Sequence, residues 1–122
     1  MDFVHPYGVF KGSLKRDKSL KRNSDFRRLY SKGKSAVNSH LVVYSMPDSD
    51  GLSKVGFTVS AKLGKAVARN RIRRRLREIY RLNSIKPGYD IIVVARSKCV
   101  DAEYHEIESA YLDALSKLNL LP

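Results

Sequence analysis

Cysteine is almost absent from this chain of 122 residues, since Cys99 is the only one. A single cysteine excludes an internal disulfide and a zinc site built from several cysteines. It also fits a reducing compartment, where disulfides are rare. We therefore expect a cytoplasmic protein in which Cys99 is a small, buried, apolar residue rather than a nucleophile.

Long apolar runs are missing as well. No stretch approaches the roughly 18–20 consecutive apolar residues that a membrane-spanning helix requires. The N-terminal stretch MDFVHPYGVFKGSLKR also lacks the continuous apolar segment of a secretory signal peptide. The sequence therefore predicts neither a membrane partner nor export.

Clustered acidic side chains are the third absence, and a protein nuclease uses such clusters to hold divalent metal ions. Asp48 and Asp50 lie in a turn whose glycine follows too soon for a calcium loop. The three histidines have no metal-ligand spacing. The corner at Gly64 lacks the earlier glycine and the Ser/Thr of a Walker motif. We expect no catalytic residue, no metal ligand and no organic cofactor in the protein itself.

Positive charge is what the chain has in excess. It carries 24 Lys and Arg against 12 Asp and Glu, a net charge of +12 in a length that fits one domain. Residues 11–34 and residues 62–81 each carry a net charge of +8, whereas the chain from residue 101 onward carries −4. Charge distributed so unevenly predicts a surface that binds a polyanion.

Residues 62–81 combine this charge with helical periodicity, because nine of them are Lys or Arg and one, Glu78, is acidic. Apolar residues at helical spacing would anchor one narrow face to a core: Ala68, Ile72, Leu76 and Ile79. Arginines form a second row: Arg69, Arg73, Arg77 and Arg81, with Asn70 and Arg74 beside it. Like charges at this spacing destabilise an isolated helix, and a merely solvated helix normally carries interspersed acids. The pattern favours RNA binding.

The secondary-structure pattern predicts the order α-β-β-α-β-α. Helices are predicted at residues 24–32, 65–83 and 104–118, and strands at residues 41–46, 55–60 and 91–95. We expect the first two strands to form an antiparallel hairpin. The apolar run at 91–95 suggests a central strand buried on both faces. Residues 1–17 are predicted to be a poorly ordered extension, and residues 18–122 a single domain.

Three aromatic residues have two possible interpretations. Phe26, Tyr30 and Tyr44 lie beside basic residues or on the first predicted strand. Exposed rings in such places stack on unpaired bases, and each stack contributes about 1–3 kcal/mol. Aromatic residues at helical or strand spacing are, however, more often part of the core.

The segment KLGKAVARNRIRRRLRE resembles the protein subunit of bacterial ribonuclease P. That family is marked by Lys-x-x-Gly-x-Ala-Val-x-Arg-Asn-Arg-x-(Lys/Arg)-Arg-x-x-Arg. The positions that match are Lys62, Gly64, Ala66, Val67, Arg69, Asn70, Arg71, Arg73, Arg74 and Arg77. The resemblance extends over about residues 18–118.

The resemblance implies an α+β two-layer sandwich with a β-α-β crossover through the Arg-rich helix. The family's crossover is left-handed, although right-handed crossovers are the rule. It also implies a protein that does not cut RNA itself but joins a large catalytic RNA. The complex is an endonuclease that removes the 5′ leader from precursor tRNA, with Mg²⁺ held mainly by the RNA and the substrate. No obligate protein partner is implied.

The resemblance also assigns roles to residues. The positions implied to face the catalytic RNA, and the leader near the cleavage site, are Lys62, Lys65, Arg69, Asn70, Arg71, Arg73, Arg74 and Arg77. Phe26, Tyr30 and Tyr44 match the aromatic residues of a leader-binding cleft, with Tyr at position 30 where relatives often carry Phe. Two other classes stay open, namely a ribosomal or other RNA-binding protein and a metal-dependent protein nuclease.

Overall fold

The computed structural model describes residues 3–4, 17–20, 23–48 and 53–122, and these form one mixed sheet with three α-helices. The strands are β1 (Phe3–Val4), β2 (Asp17–Ser19), β3 (Lys34–Val37), β4 (Leu41–Pro47), β5 (Ser53–Thr58) and β6 (Tyr89–Ala95). The helices are α1 (Asn23–Lys32), α2 (Ala66–Leu82) and α3 (Tyr104–Lys117), with short 3-10 turns at Ala61–Leu63 and Ser97–Cys99. The predicted α+β class is confirmed, and each predicted helix is present within one or two residues of its expected ends.

Strand β6 occupies the centre of the sheet. It pairs antiparallel with β4 on one side and parallel with β5 on the other. Its residues Ile91, Ile92 and Val93 are fully buried, which confirms the prediction of a strand covered on both faces. Because β5 and β6 are parallel neighbours joined through α2, the predicted β-α-β unit is confirmed.

The predicted hairpin between residues 41–46 and 55–60 is wrong. Strands β4 and β5 do not pair with each other, because β6 lies between them. The reason is burial: β6 is apolar on both faces and gains most from a central position, whereas β4 alternates between buried and partly exposed residues. The second strand also ends at Thr58, two residues earlier than predicted.

The predicted order of elements missed β3, the strand that pairs antiparallel with β4 at one edge of the sheet. Its sequence, KSAV, has only two apolar residues and gives no clear strand signal. It follows directly from Gly33, which ends α1 as expected. A Cβ at Gly33 would lie 2.6 Å from the Leu29 carbonyl oxygen and 2.9 Å from that of Ser45. Only glycine permits so close a turn from helix to strand.

The two faces of the sheet are covered differently. Helices α2 and α3 cover one face and form the main core with residues that include Leu41, Val43, Val55, Phe57, Ile72, Leu76, Ile79, Val93, Ile107, Tyr111 and Leu115. Helix α1 covers part of the other face, where Leu20, Phe26, Leu29 and Ile92 form a second cluster. Part of that second face remains open beside α1.

The predicted N-terminal extension falls mostly outside the described residues. Where it is described, β1 pairs antiparallel with β5 and β2 pairs parallel with it, so both lie along the outer edge of β5. The division of the chain at residue 17 stays a prediction.

Cys99 is fully buried, as predicted. Its thiol donates a hydrogen bond to the His40 carbonyl oxygen at 3.1 Å. Burial raises the pKa of the thiol to about 11, so the sulfur stays protonated and unreactive near neutral pH. Within the described ranges, no helix combines the length and the apolar character that crossing a membrane requires.

Candidate nucleic-acid interface

Packing fixes the rotation of α2 about its axis. Ile72, Leu76 and Ile79 are buried against the main core, as the apolar stripe predicted. On one flank of this stripe, Tyr80 packs edge-to-face on Phe57 of β5, with 6.1 Å between ring centroids. On the opposite flank, Arg75 Nη1 donates to the Ala102 carbonyl oxygen at 2.8 Å. Of the remaining arginines, Arg71, Arg74 and Arg81 are exposed, whereas the side chains that share the flank of Tyr80 are only partly exposed.

The structure places all eight predicted RNA-facing residues on α2 and the segment that leads into it. Five are exposed: Lys62, Lys65, Asn70, Arg71 and Arg74. Three are partly exposed: Arg69, Arg73 and Arg77. No position of the set is buried, so one continuous cationic surface runs along the helix; we refer to these eight residues as the α2 basic surface.

Short hydrogen bonds orient part of the α2 basic surface. Arg73 Nη1 donates to Asn70 Oδ1 at 2.7 Å, and Arg69 Nε donates to the Gly64 carbonyl oxygen at 3.2 Å. The amide oxygen of Asn70 holds the Arg73 guanidinium in place, and guanidinium groups fixed in this way lose less entropy when they bind phosphate.

Mutual repulsion marks the middle of the α2 basic surface. The pKa of Arg77 lies below its usual value because the guanidinium is partly buried and because Arg73 and Arg74 lie nearby. Glu78, the one acidic residue of α2, pairs with Arg81 at 2.6 Å near the end of the helix. The acidic side chain of α2 therefore lies too near the end of the helix to offset the arginines of its N-terminal half, whose mutual repulsion a polyanion would relieve.

The three predicted cleft aromatics lie together beside α1, but at different depths. Tyr30 and Tyr44 are partly exposed and meet edge-to-face, with 4.8 Å between ring centroids. Tyr30 Oη and Thr58 Oγ1 are 3.2 Å apart and share a hydrogen bond. Phe26 lies 6.3 Å from Tyr30 between centroids but is only 2% exposed. Its ring supports Tyr30 from below and does not offer a face of its own.

Gly56 explains why the Phe26 side chain is buried, a role that was not predicted from the sequence. A Cβ at this position would lie 2.8 Å from Phe26 Cζ and 3.0 Å from Cε1. The Phe26 ring therefore rests directly on the backbone of β5. Glycine in the middle of a strand is a signal for such close approach, and it was available in the sequence.

The open part of the sheet lies next to the aromatic pair. Tyr44 of β4 pairs in register with Ile92 of β6, which α1 covers. Two residues away on the same face of the sheet, Val42 pairs with Val94. Both valines are partly exposed. Thr58 pairs with Val94 from the other side. We call Tyr30, Tyr44, Val42 and Val94 the sheet surface.

The sheet surface and the α2 basic surface are joined through the chain. Thr58 ends β5, and the connecting segment from 59 to 65 leads directly into α2. This segment carries Lys62 and Lys65, both exposed. Cationic groups thus lie between the end of β5 and the start of the arginines.

A buried carboxyl pair ties α1 to the sheet, and nothing in the sequence pointed to it. Asp90 of β6 is fully buried, and its Oδ1 accepts from the Lys54 backbone N–H at 3.2 Å. Its Oδ2 lies 3.8 Å from Arg28 Nη2 of α1. Burial, together with a hydrogen bond and charge from Asp48, raises the pKa of Asp90 to about 7. Lys54 Nζ pairs with Asp48 Oδ2 at 3.4 Å.

In the part of the chain that the structure describes, histidine, cysteine and acidic side chains form no group of three or more that suits a metal ion. The geometry thus offers cationic and aromatic contacts, which suit phosphates and unpaired bases.

Comparison with known proteins agrees with this chemistry. The family model described as Ribonuclease P matches residues 14–119. The ribonuclease P protein component of Alkaliphilus oremlandii is 53% identical over 104 residues, which cover 84% of this chain and 91% of that protein. The one from Clostridioides difficile is 44% identical over 108 residues, covering 86% of this chain and 95% of that protein.

Solved structures show the same fold. A Staphylococcus aureus RNase P protein, described as a mutant with defective mRNA degradation activity, superposes with a TM-score of 0.83 at 32% identity. The match covers 93% of this chain and 98% of that one. The RNase P protein from Thermotoga maritima gives a TM-score of 0.71 at 31% identity, over 79% of this chain and 93% of that one.

Proposed function

This chain belongs to the ribonuclease P protein family, and from that premise we propose that it is the RNA-binding subunit of a ribonucleoprotein that removes the 5′ leader from precursor tRNA. The catalytic groups belong to the RNA subunit in this proposal, and the protein binds and positions RNA. The complex acts in the cytoplasm.

The α2 basic surface is the observation that carries the proposal. Its arginines are presented outward by a helix whose opposite face is locked into the core, and Asn70 orients Arg73. Such an array neutralises several phosphates at once, and phosphate contacts supply most of the affinity of proteins for nucleic acid. We assign this surface to the catalytic RNA and to the substrate phosphates next to the cleavage site.

The sheet surface suits the single-stranded leader. Tyr30 and Tyr44 are partly exposed and hold each other in an edge-to-face arrangement, so a base can stack on a preformed aromatic platform. Phe26 stabilises this platform from within the second cluster. The lysines of segment 59–65 lie between the platform and α2, where the leader would meet the rest of the substrate.

In this proposal the RNA, and not the protein, holds the Mg²⁺ ions. Mg²⁺ prefers oxygen ligands that include phosphates, and converging RNA strands supply them. The protein's contribution is to add fixed positive charge where several phosphates meet, which lowers the Mg²⁺ concentration that the complex requires.

Reconstitution tests the proposal. Precursor tRNA is incubated at low Mg²⁺ with the protein alone, with the catalytic RNA alone, and with both. We expect 5′ maturation only with both. The protein-only arm needs protein freed of RNA, because catalytic RNA carried over from the host would supply the cleavage by itself. Leader removal by the RNA-free protein would overturn the proposal, as would unchanged activity of the RNA when protein is added.

A further inference from the structure

Val67 is the most exposed large apolar side chain among the described residues, with 78% of its surface accessible. It lies in the first turn of α2, which contains no acidic residue. Its position on the helix is opposite to the buried stripe, so none of the helices and strands that the structure describes covers it. The α2 basic surface explains the arginines around Val67 but gives this residue no function.

The surroundings of Val67 are cationic and open. Helical spacing places Asn70 and Arg71 beside it and Arg74 one turn further along. Gly64 precedes the helix with a φ of +132°, and a Cβ there would meet only Ala68 Cβ, at 3.5 Å. The chain that leads into α2 is therefore narrow at Gly64, and the exposed side chains around Val67 are cationic or polar.

Exposure of valine at this point has no benefit for the isolated helix. Valine is a poorer helix former than alanine, because its branched side chain restricts rotamers against the preceding turn. Burial against a partner supplies the missing stabilisation, since removing the methyl groups of valine from water is favourable. The basic surroundings specify a polyanion, and the sugar and base faces of RNA provide the apolar area.

We propose that Val67 packs against the sugar or base of a nucleotide in the catalytic RNA subunit, while Arg71 and Arg74 bind the adjacent phosphates. The inference rests on the proposed function and adds an apolar contact to an interface that is otherwise cationic. The catalytic RNA is the occupant because Val67 lies among the arginines that we assign to that RNA, whereas the leader has its own platform at Tyr30 and Tyr44.

The experiment measures the affinity of the whole protein for a transcript of the catalytic RNA over a range of salt concentrations. Val67→Ala shortens the side chain and Val67→Ile keeps its apolar character. Leu82→Ala is the matched control, because Leu82 is also exposed on α2, at 56%, but lies beside Glu78 at the far end. Thermal unfolding of each variant verifies that the fold is intact.

We expect Val67→Ala to weaken binding about five- to tenfold, the effect of losing up to two buried methyl groups. The salt slope should stay unchanged, because no phosphate contact is lost. Val67→Ile and Leu82→Ala should bind like the wild type. Wild-type affinity in Val67→Ala would overturn the inference alone, and so would a loss seen only with precursor tRNA. Failure of the wild-type protein to bind the catalytic RNA would overturn the proposed function as well.

Discussion

Substitution of Gly56 by alanine tests how the leader platform is built. The new Cβ would lie 2.8 Å from Phe26 Cζ, whereas carbon atoms prefer separations of about 3.5–4.0 Å. The ring must therefore retreat by about 0.7 Å, and the retreat is resisted because Phe26 is enclosed in the second cluster. Overpacking of this kind destabilises a core by about 1–3 kcal/mol.

A smaller effect acts in the opposite direction. Replacing glycine by alanine reduces the entropy of the unfolded chain and stabilises by about 0.4–1 kcal/mol. Overpacking is the larger of the two, so we expect Gly56→Ala to lower the free energy of unfolding by about 1–2 kcal/mol. For a chain of this length the loss corresponds to a melting temperature lower by about 4–8 °C. Because Phe26 supports Tyr30, affinity for the leader should fall too.

A double-mutant cycle decides whether the clash is the cause. Phe26→Leu removes the ring atoms that the new Cβ would meet, so the double variant should be more stable than the sum of the two single effects by about 0.5–1 kcal/mol. Urea unfolding of the four proteins measures this coupling. Additive effects, or a Gly56→Ala variant as stable as the wild type, would refute the packing that we describe.

Two further predictions concern charge. Arg73→Ala should weaken binding of the catalytic RNA and reduce the salt slope by about one. Arg81→Ala, which removes a partner of Glu78, is the control and should leave the salt slope unchanged. Equal salt slopes in both variants would count against the α2 basic surface. Asp90 has a raised pKa of about 7, so the folded state favours its protonated form. The stability that the protonated carboxyl contributes is fully present below the unfolded pKa of about 3.9 and is lost as pH rises through 7. The free energy of unfolding should therefore decline by about 1–3 kcal/mol from pH 5 to pH 8, and Asp90→Asn, which can still donate to Asp48, should flatten this decline; a decline of the same size in the variant would contradict the assignment.

The sequence predicted α2 well because two independent signals coincided there. The spacing of Ile72, Leu76 and Ile79 defined the buried face, and the scarcity of acidic residues defined the outward one. Both signals depend only on residues close together in the chain, and the structure places them as expected.

Strand pairing could not be derived in the same way. The strands at residues 41–46 and 55–60 are neighbours in sequence and look like a hairpin, but β6 separates them in the sheet. The central position in the sheet goes to the strand that gains most from burial on both faces. That strand, β6, begins more than 30 residues after β5 ends. β3 was missed because an edge strand with two apolar residues gives a weak signal.

The depth of the aromatic residues was also hidden from the sequence. Helical spacing correctly placed Phe26 and Tyr30 on one face of α1, but only Gly56 on a distant strand determines that Phe26 is buried while Tyr30 stays partly exposed. The sequence places Asp48 in a turn, yet this residue meets Asp90 in a buried pair that no local pattern reveals.

The central claim is that the sheet surface distinguishes substrates with a leader, whereas the α2 basic surface chiefly holds the catalytic RNA. Its most direct test is the ratio of dissociation constants for mature tRNA and precursor tRNA, measured with the assembled complex at saturating protein. Tyr44→Ala should reduce the preference for precursor at least about fivefold, the loss of about 1 kcal/mol of stacking. Arg74→Ala should weaken assembly with the catalytic RNA but preserve the ratio. Equal losses for both tRNAs in Tyr44→Ala, or a ratio abolished by Arg74→Ala at saturating protein, would contradict the account.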